Sequence, residues 1–225
     1  MFYGGKSKIA HLYPKPRHGI IIEPFAGAAS YSLLYYDKEI ILNEADVRVY
    51  SIWKFLLSKD AYDIVNEFMP NSVKPGDTLR SIFKANTHQG FLELMRTAIS
   101  RGSGSWGFST KVSKRGAIAW KTVKDKLLYW IPKIRHWKIF YGDYTELPNY
   151  NATWYIDPPY SSRQGRVYRI DCIDYGRLLL WVRSRSGFVI VCENVDAKWL
   201  DFKKLTAFKG HNSCRYYEGI YTQGG

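Results

Sequence analysis

The chain has 225 residues, of which 46% are hydrophobic and 24% charged, a balance that excludes an intrinsically disordered protein. Its 33 lysines and arginines against 20 aspartates and glutamates give a net charge of +13, which favours a polyanionic partner. No apolar run reaches the ~20 residues of a membrane span, and no apolar segment typical of a signal peptide follows the first residues. We therefore expect a soluble cytoplasmic protein with one α/β core and room for a small insertion.

The first third of the sequence alternates strand and helix patterns. Apolar runs at 19–23 and 39–43 predict buried strands. Small and apolar residues predict a helix over 26–36, and helical spacing predicts helices over 47–57 and 61–68, the last stopped by Pro70. This βαβα order indicates a parallel sheet with helices on its faces.

The pattern changes between residues 76 and 136, where no clear strand occurs. The spacing predicts a helix over 78–100, a Gly- and Ser-rich loop over 101–117, and a helix over 120–130 that ends at Pro132. This stretch is basic throughout. We interpret residues 76–136 as an insertion into an α/β domain formed by residues 1–75 and 137–225.

The sheet pattern resumes after the insertion. Strands are predicted at 138–141, 153–156 and 188–192, with a helix over 175–184. Two late segments, 203–208 and 214–222, are predicted to pair as a hairpin at the sheet edge. The predicted fold class is therefore α/β, with a Rossmann-like sheet and a small helical insertion.

Cysteine and histidine patterns do not indicate a metal site. The three cysteines, Cys172, Cys192 and Cys214, are widely spaced and form no CxxC pair, and we interpret them as buried or incidental thiols. The five histidines form neither an HxxxH nor an HExxH pattern. We therefore expect no metal. The aromatic content of 16% beside the basic charge suits phosphate contact combined with base stacking.

Polar or acidic residues follow five of the predicted strands. Ligands of open α/β sheets bind beyond the carboxyl ends of the strands, so these residues mark the expected binding edge. They are Glu23-Pro24-Phe25-Ala26-Gly27, Asn43-Glu44-Ala45-Asp46, Gly142-Asp143-Tyr144, Asp157-Pro158-Pro159-Tyr160 and Glu193-Asn194. For the last pair, capping of a following helix is an equally weighted alternative.

The first two strand ends suggest the kind of cofactor. The turn after the first strand lacks GxGxxG, which argues against a dinucleotide. Gly27 lets a ligand approach the backbone, and the N-terminus of the helix predicted after it could face a carboxylate. An acid after the second strand suits a ribose diol. A nucleoside with a charged amino-acid tail, such as S-adenosylmethionine, combines these groups.

Asp157-Pro158-Pro159-Tyr160 is the strongest chemical signal. The lone pair of adenine N6 is delocalised into the ring, so its attack requires acceptors aimed at the two N–H groups. The Asp157 carboxylate and the Pro158 carbonyl can be these acceptors, held by a turn that two prolines stiffen. Tyr160 can stack on a base flipped out of the duplex. A rigid loop without a chemical role is the alternative.

The motif order resembles that of the Dam-type (alpha-group) DNA adenine-N6 methyltransferases, with a phage-like short length. Tyr3-Gly4-Gly5-Lys6, Glu23-Pro24-Phe25-Ala26-Gly27, an insertion and Asp157-Pro158-Pro159-Tyr160 follow one another in the alpha-group order. The resemblance covers nearly the whole chain, strongly at the three motifs and weakly in the insertion. It implies a methyltransferase sheet, S-adenosylmethionine as cofactor, double-stranded DNA as partner, and the host cytoplasm if the protein is viral. A monomer is favoured, but the sequence leaves the oligomeric state open.

The resemblance also implies a role for each motif residue. The catalytic residues would be Asp157, Pro158, Pro159 and Tyr160, around the target adenine. Cofactor-binding residues would be Tyr3, Gly5, Lys6, Glu23, Phe25, Ala26, Gly27, Glu44, Asp46, Asp143 and Tyr144. Lys6 would lie near the cofactor carboxylate, and either Glu44 or Asp46 would hold the ribose, because Glu44 stands where the family usually has Asp. Asp143 would accept from the cofactor adenine, with turn capping as the alternative.

The insertion is the candidate DNA-recognition region. Basic side chains there can bind phosphates or base edges; they are Arg80, Lys84, Arg96, Arg101, Lys111, Lys114, Arg115 and Lys121. Trp106 and Phe108 can wedge into the stack left by a flipped base. The alternative is a solvated loop over a helical subdomain. A second basic stretch, residues 163–169, can form a lid over the base.

Other functions share part of this pattern. N4-cytosine methylation uses the same acceptor chemistry, and enzymes acting on RNA or protein amides more often carry Asn first in the motif. A DNA-binding protein that retains cofactor affinity without turnover is the alternative from a different class. The biological role, in restriction-modification, restriction evasion or replication marking, stays open.

Overall fold

The predicted strands assemble into one sheet in the computed structural model of the chain, which describes residues 6–83, 88–99, 111–161, 173–209 and 215–224. The strands are β1 (Ile20–Glu23), β2 (Glu39–Glu44), β3 (Lys138–Tyr141), β4 (Ala152–Ile156), β5 (Gly187–Asn194), β6 (Lys203–Lys209) and β7 (Arg215–Gln223). Their order in the sheet is β3-β2-β1-β4-β5-β7-β6. The predicted α/β class is confirmed.

Strand direction follows from the pairing. β1 is parallel to β2 and β4, and β4 is parallel to β5. β7 is antiparallel to both β5 and β6, so the predicted hairpin is confirmed at the end of the sheet. Because β7 runs against β5, the first residues of β7 lie beside the last residues of β5. Residues early in β7 therefore reach the edge at which the parallel strands end.

The chain divides into two compact units. One, here the sheet unit, comprises Lys6–Ala45 and Phe140–Gly225; the other, here the helical unit, comprises Asp46–Ile139. The helical unit contains the predicted insertion together with residues 46–75, which the sequence pattern assigned to the α/β domain. Its extra residues form α1 (Val47–Leu56) and α2 (Ala61–Phe68). These two helices are therefore grouped with the insertion and not with the sheet.

Aromatic packing holds the helical unit together. Besides α1 and α2 it contains α3 (Leu79–Ile82), α4 (Gln89–Ile99) and α5 (Lys114–Ile134). α1 packs on α4, and α5 packs on α2 and α4. The ring of Phe91 contacts those of Phe55 and Phe83 at centroid distances of 5.4 and 5.1 Å. The described residues from 76 to 136 contain no strand beyond an isolated bridge between Thr78 and Lys111.

The core of the sheet unit lies under β4 and β5. All five residues of β4 are buried, as expected for a central parallel strand. Helix α6 (Tyr175–Arg183) covers this face with Leu178, Trp181 and Val182. The rings of Trp154 and Trp181 meet edge to face at 5.4 Å. This packing gives the turn after β4 a rigid base.

The helix predicted over residues 26–36 is wrong. The structure has only a short 3₁₀ turn there, at Ser32–Tyr35. Gly27 and Ala29 take φ values of +44° and +45°, which an α-helix cannot contain. The backbone amide of Ser32 donates instead to the buried Glu23 carboxylate at 2.8 Å. The predicted helix N-terminus that would face a cofactor carboxylate is therefore absent.

Helix α5 is longer than predicted at both ends. It begins at Lys114, because the Ser113 side chain caps it by accepting from the Gly116 amide at 2.9 Å. It passes Pro132 and ends at Ile134, since Ile131 and Ile134 are buried on one side of the last turn. The burial of these two side chains therefore compensates for the backbone hydrogen bond that Pro132 cannot donate. The predicted loop over 101–117 shrinks accordingly, and its residues 101–110 lie outside the described part.

Two features are absent from the described ranges. None of their helices is long and apolar enough to cross a membrane. Nor do they hold a group of three or more His, Cys, Asp or Glu side chains placed to bind a metal ion. Cys192 is a buried free thiol on β5, whereas Cys172 and Cys214 lie outside the described residues.

Candidate active site

The order of the strands brings the two strongest sequence motifs together. β1 lies between β2 and β4, with Ile22 beside Trp154 in the register. The chain therefore leaves β1 towards β2 on one side and returns as β4 on the other, which makes this point a topological switch. The turn starting at Glu23 and the turn starting at Asp157 follow these neighbouring strands. Both belong to the sheet unit.

The turn after β1 is tied to the end of β2. The Ala26 amide donates to the Asn43 carbonyl at 2.9 Å, and the Gly27 amide donates to Glu44 Oε2 at 3.1 Å. The buried Asn43 side chain donates to the Pro24 and Gly142 carbonyls at 3.2 and 3.1 Å. A Cβ built on Gly27 would meet no heavy atom of the described residues within 4 Å. The turn is thus held from behind, and the space beside its glycine is open.

Phe25 and Tyr144 form an aromatic surface near this turn. Their ring centroids lie 5.2 Å apart, and Tyr144 also meets Trp181 edge to face at 5.1 Å. Asp143, directly before Tyr144, caps a short turn, because its Oδ1 accepts from the Thr145 amide at 2.9 Å. Partial burial acts to raise the pKa of Asp143, but the Thr145 donors and the Arg177 charge outweigh it and lower this pKa. The turn-capping interpretation of Asp143 is confirmed.

Glu44 and Asp46 have different surroundings. Glu44 ends β2 in the sheet unit, and its carboxylate binds the Gly27 amide. Asp46 caps α1 in the helical unit, where Oδ1 accepts from the Arg48 amide at 2.9 Å and Oδ2 lies 2.8 Å from Arg48 Nη2. The Glu44 carboxylate is thus bound to the glycine turn itself, whereas Asp46 stabilises a helix start. Of the two acids that the resemblance offered for a ribose, Glu44 is therefore the one that contacts the glycine turn.

Lys6 binds the first residue of the Asp157-Pro158-Pro159-Tyr160 turn. Its Nζ atom lies 3.0 Å from Asp157 Oδ1 and 3.7 Å from Glu218 Oε1, and 4.5 Å from the centroid of the Tyr160 ring. The motif resemblance assigned Lys6 to the cofactor carboxylate. The structure instead places its ammonium between two protein carboxylates and against one face of an aromatic ring.

Burial and charge set the protonation of this pair. Burial raises the pKa of Asp157 to about 6, although the Lys6 ammonium opposes the shift and Glu218 adds to it. Burial disfavours the Lys6 ammonium, but Asp157 and Glu218 outweigh this and raise the pKa of Lys6. At neutral pH the site therefore holds a charged Asp157 beside a charged Lys6. The Asp157 carboxylate is an acceptor that an acidic medium would remove.

Two side chains from other elements anchor the turn after β4. The Tyr175 hydroxyl donates to the Pro159 carbonyl, and the Ser161 amide donates to Glu193 Oε2 at 3.0 Å. Glu193 is fully buried and also accepts from the Asn194 amide at 2.8 Å and from Trp199 Nε1 at 3.2 Å. The described residues 195–202 contain no helix, so the helix-cap alternative is wrong. Glu193 therefore holds the end of the turn after β4 at Ser161.

We expect Glu193→Ala to destabilise the protein by about 2–4 kcal/mol, because three partly buried donors lose their common buried acceptor. Urea unfolding measures this loss as a decrease in the free energy of unfolding. Asn194→Ala is the matched control: it removes only the bond from the Asp196 amide at 2.9 Å and should cost about 1 kcal/mol. Equal costs for the two variants would contradict the anchoring role of Glu193.

Glu23 is a buried acid at the end of β1. Burial raises its pKa to about 8, although the Ser32 hydrogen bonds oppose the shift, and the Asp157 charge raises it further. Glu23 is therefore mostly protonated at neutral pH. In this form the side chain is uncharged, so Glu23 adds no negative charge near Asp157.

The raised pKa of Glu23 predicts a pH-dependent stability. Between about pH 4.5 and pH 8 the folded protein keeps the proton that the unfolded chain releases, so the free energy of unfolding falls as pH rises. Each pH unit in this window costs up to about 1.4 kcal/mol. Glu23→Gln carries no titrating proton and should lose much less stability than wild type between pH 5 and pH 8, measured by urea unfolding. In the control variant Asp37→Asn, which changes an exposed carboxylate, the free energy of unfolding should vary with pH as in wild type. If it also varies as in wild type in Glu23→Gln, Glu23 is not the group responsible.

The predicted DNA-binding residues are only partly described. Arg80, Lys111, Lys114 and Arg115 are exposed on the helical unit. Arg96 pairs instead with the buried Glu93, with Nη1 2.6 Å from Oε1. The remaining predicted positions lie outside the described residues or have undescribed side chains; they are Tyr3, Gly5, Lys84, Arg101, Trp106, Phe108, Lys121 and residues 163–169.

The sequence patterns did not indicate Glu218 as a site residue. They also did not show that Asn43 and Glu193 hold the turns at the site. Glu218 lies on β7, far along the chain from every motif, and is buried with 5% of its surface exposed. A buried acid within an apolar strand pattern was the available signal, but it does not indicate a partner. Asn43 and Glu193 stood at strand ends, where the order of the strands decides which turn they contact.

The fold and site define an α/β protein with a mostly parallel sheet and an acidic, aromatic site at its switch point. No protein-family model matches the sequence, and no curated protein matches it. The assignment of a function therefore depends on the chemistry of the site.

Proposed function

We propose that the chain is an S-adenosylmethionine-dependent methyltransferase. Its substrate, in this proposal, is the exocyclic N6 amino group of adenine in DNA. The observation that carries the proposal is the meeting of the Asp157-Pro158-Pro159-Tyr160 turn and the Glu23-to-Gly27 turn on neighbouring strands at the switch point. A donor bound at one turn and a base bound at the other would thus share one edge of the sheet.

The residues around the glycine turn fit the chemistry of S-adenosylmethionine. The open space beside Gly27 allows a ligand to approach the backbone, as a Cβ there would not. The Glu44 carboxylate can accept from a ribose diol while it binds the Gly27 amide. The Phe25 and Tyr144 rings offer an apolar surface for an adenine ring. When bound, this cofactor supplies a sulfonium methyl group as the electrophile.

The residues of the catalytic turn can activate an amino group. The Asp157 carboxylate accepts one N6–H, and the Pro158 carbonyl accepts the other; in the described part of the chain this carbonyl has no donor. These acceptors return electron density to N6 as the N–C bond forms and the S–C bond breaks. The methylated nitrogen then loses a proton, for which Asp157, with its pKa of about 6, is an acceptor. No covalent enzyme intermediate is needed.

Tyr160 can hold the base in place. Its hydroxyl donates to Glu218, and the Lys6 ammonium covers one face of the ring. The opposite face is therefore the one proposed for stacking with an extruded adenine. The net charge of +13 and the exposed Arg80, Lys111, Lys114 and Arg115 side chains suit phosphate contacts with the duplex.

The test is transfer of a labelled methyl group. The protein is incubated with methyl-tritiated S-adenosylmethionine and plasmid DNA free of adenine methylation, and the DNA is digested to nucleosides for mass spectrometry. We expect N6-methyldeoxyadenosine. Label in N4-methyldeoxycytidine would refute the choice of base, and label in RNA offered in parallel would refute the choice of substrate. DNA binding without any transfer would refute the enzymatic proposal.

A further inference from the structure

Glu218 binds three donors from separate parts of the chain. Its Oε1 atom accepts from the Tyr13 hydroxyl at 2.6 Å and from the Tyr160 hydroxyl, and it lies 3.7 Å from Lys6 Nζ. Tyr160 and Lys6 also contact each other, and Lys6 binds Asp157. Burial raises the pKa of the Tyr13 and Tyr160 hydroxyls, so both stay protonated as donors. Glu218 is thus linked directly to Tyr160 and, through Lys6, to Asp157. These are the two side chains proposed to hold the base.

The fold directs Glu218 to this place. In the register it stands beside Asn194 of β5 and Thr206 of β6, at the start of β7 and at the edge where the parallel strands end. The β6–β7 pairing is irregular at this point, between Lys204 and Thr206, as expected of a bulge that re-aims a side chain. A Cβ on the next residue, Gly219, would lie 2.9 Å from the backbone of Val195. Glycine at 219 therefore permits the close approach that brings Glu218 inward.

We propose that Glu218 is a positioning residue for methyl transfer, which orients the Tyr160 ring and shares the Lys6 ammonium with Asp157. This inference rests on the proposed function. Glu218 acts through its neighbours and contacts neither the base nor the cofactor in this proposal. It has two separable effects: its hydrogen bond sets the plane in which Tyr160 stacks, and its charge determines how strongly Lys6 stabilises the Asp157 carboxylate.

The charge effect can be stated from the groups around Asp157. The facing groups besides Lys6 and Glu218 are Glu23, Tyr155, Tyr160, Cys192 and Glu193. The Glu23 carboxyl and the Tyr160 hydroxyl are protonated near neutral pH, because burial raises the pKa of both. Among the described residues, Lys6 is therefore the cation that pairs with Asp157, and it also pairs with Glu218. Without the Glu218 charge, Lys6 pairs with Asp157 only, and the repulsion between Glu218 and Asp157 is lost. Both changes lower the pKa of Asp157.

The experiment measures single-turnover methyl transfer against pH for wild type, Glu218→Gln and Glu218→Ala. The wild-type rate should fall as pH drops through about 6, since Asp157 must be ionised. Glu218→Gln keeps an oxygen acceptor but loses the charge, so its acid limb should move to lower pH by about one unit. Glu218→Ala should also lose about tenfold or more in rate at pH 8, because Tyr160 is no longer oriented. A purely structural role would not move the acid limb.

A second readout reports the orientation of the base. Duplex DNA with 2-aminopurine at the target adenine becomes more fluorescent when the base leaves the stack. We expect Glu218→Ala and Tyr160→Phe to show a smaller increase than wild type, because both break the bond from the Tyr160 hydroxyl to Glu218. Asp201→Asn, an exposed carboxylate before β6, is the matched control and should behave as wild type.

The outcomes separate the inference from the proposed function. If wild type transfers no label to DNA, the proposed function is wrong. If wild type transfers label but the folded Glu218 variants and Tyr160→Phe keep its rate, acid limb and fluorescence, the positioning role is wrong and the function stands. Thermal unfolding and S-adenosylmethionine binding check the fold of each variant. Should both Glu218 variants unfold, Tyr160→Phe decides, because it keeps the ring and removes only the hydroxyl.

Discussion

Replacement of Asp157 by alanine is expected to reduce methyl transfer by about a hundred- to a thousandfold, while S-adenosylmethionine still binds. In the proposed reaction the carboxylate is the acceptor that returns electron density to N6, and loss of one such preorganised group costs roughly 10²–10³ in rate. The cofactor residues proposed around Gly27 and Glu44 do not depend on Asp157. Label transfer measures the rate, and calorimetric titration with the cofactor measures the affinity.

Two further variants sharpen this test. Asp157→Asn keeps one carbonyl acceptor and loses the charge, so we expect an intermediate rate without the fall near pH 6 that wild type should show. Asp37→Asn, an exposed carboxylate in the same unit, should retain the wild-type rate. Normal turnover by Asp157→Ala would show that the assigned chemistry is wrong, whatever the DNA-binding properties of the chain.

The second large effect concerns cofactor affinity. Glu44→Gln should weaken S-adenosylmethionine binding about tenfold and Glu44→Ala about a hundredfold, since a charge-assisted hydrogen bond contributes roughly 1.5–3 kcal/mol. Glutamine preserves an acceptor for the Gly27 amide, so the glycine turn should stay in place. The affinity is measured by titration at constant pH.

Asp46→Ala is the contrasting variant. Asp46 caps α1 and pairs with Arg48, so its loss should cost about 1 kcal/mol of stability and leave cofactor affinity within a factor of about two. A lower melting temperature with unchanged affinity is the expected result. The opposite pattern, with affinity lost in Asp46→Ala and kept in both Glu44 variants, would assign the ribose to Asp46.

The strands were predictable because their signals are local. Ile20–Glu23 and Ala152–Ile156 are short apolar runs that end in a proline turn, a pattern typical of central parallel strands. The helix expected after β1 was not predictable in this way. Its residues have the right composition, but contacts from Asn43 and Glu23 hold the turn in backbone angles that exclude a helix. Helix propensity therefore predicts local structure poorly where residues distant in the chain bind the backbone.

The sequence by itself determined the α/β class, most element boundaries and the motifs at the strand ends. Only the tertiary structure decided that Lys6 pairs with Asp157, that Glu193 anchors the turn after β4, and that Glu218 joins Tyr13 and Tyr160. These partners are 151, 32, 205 and 58 residues apart, respectively. A hydrogen bond between such distant residues depends on strand order and direction, above all on the reversal of β7. Local sequence patterns reflect neighbours along the chain, so they carry no record of these contacts.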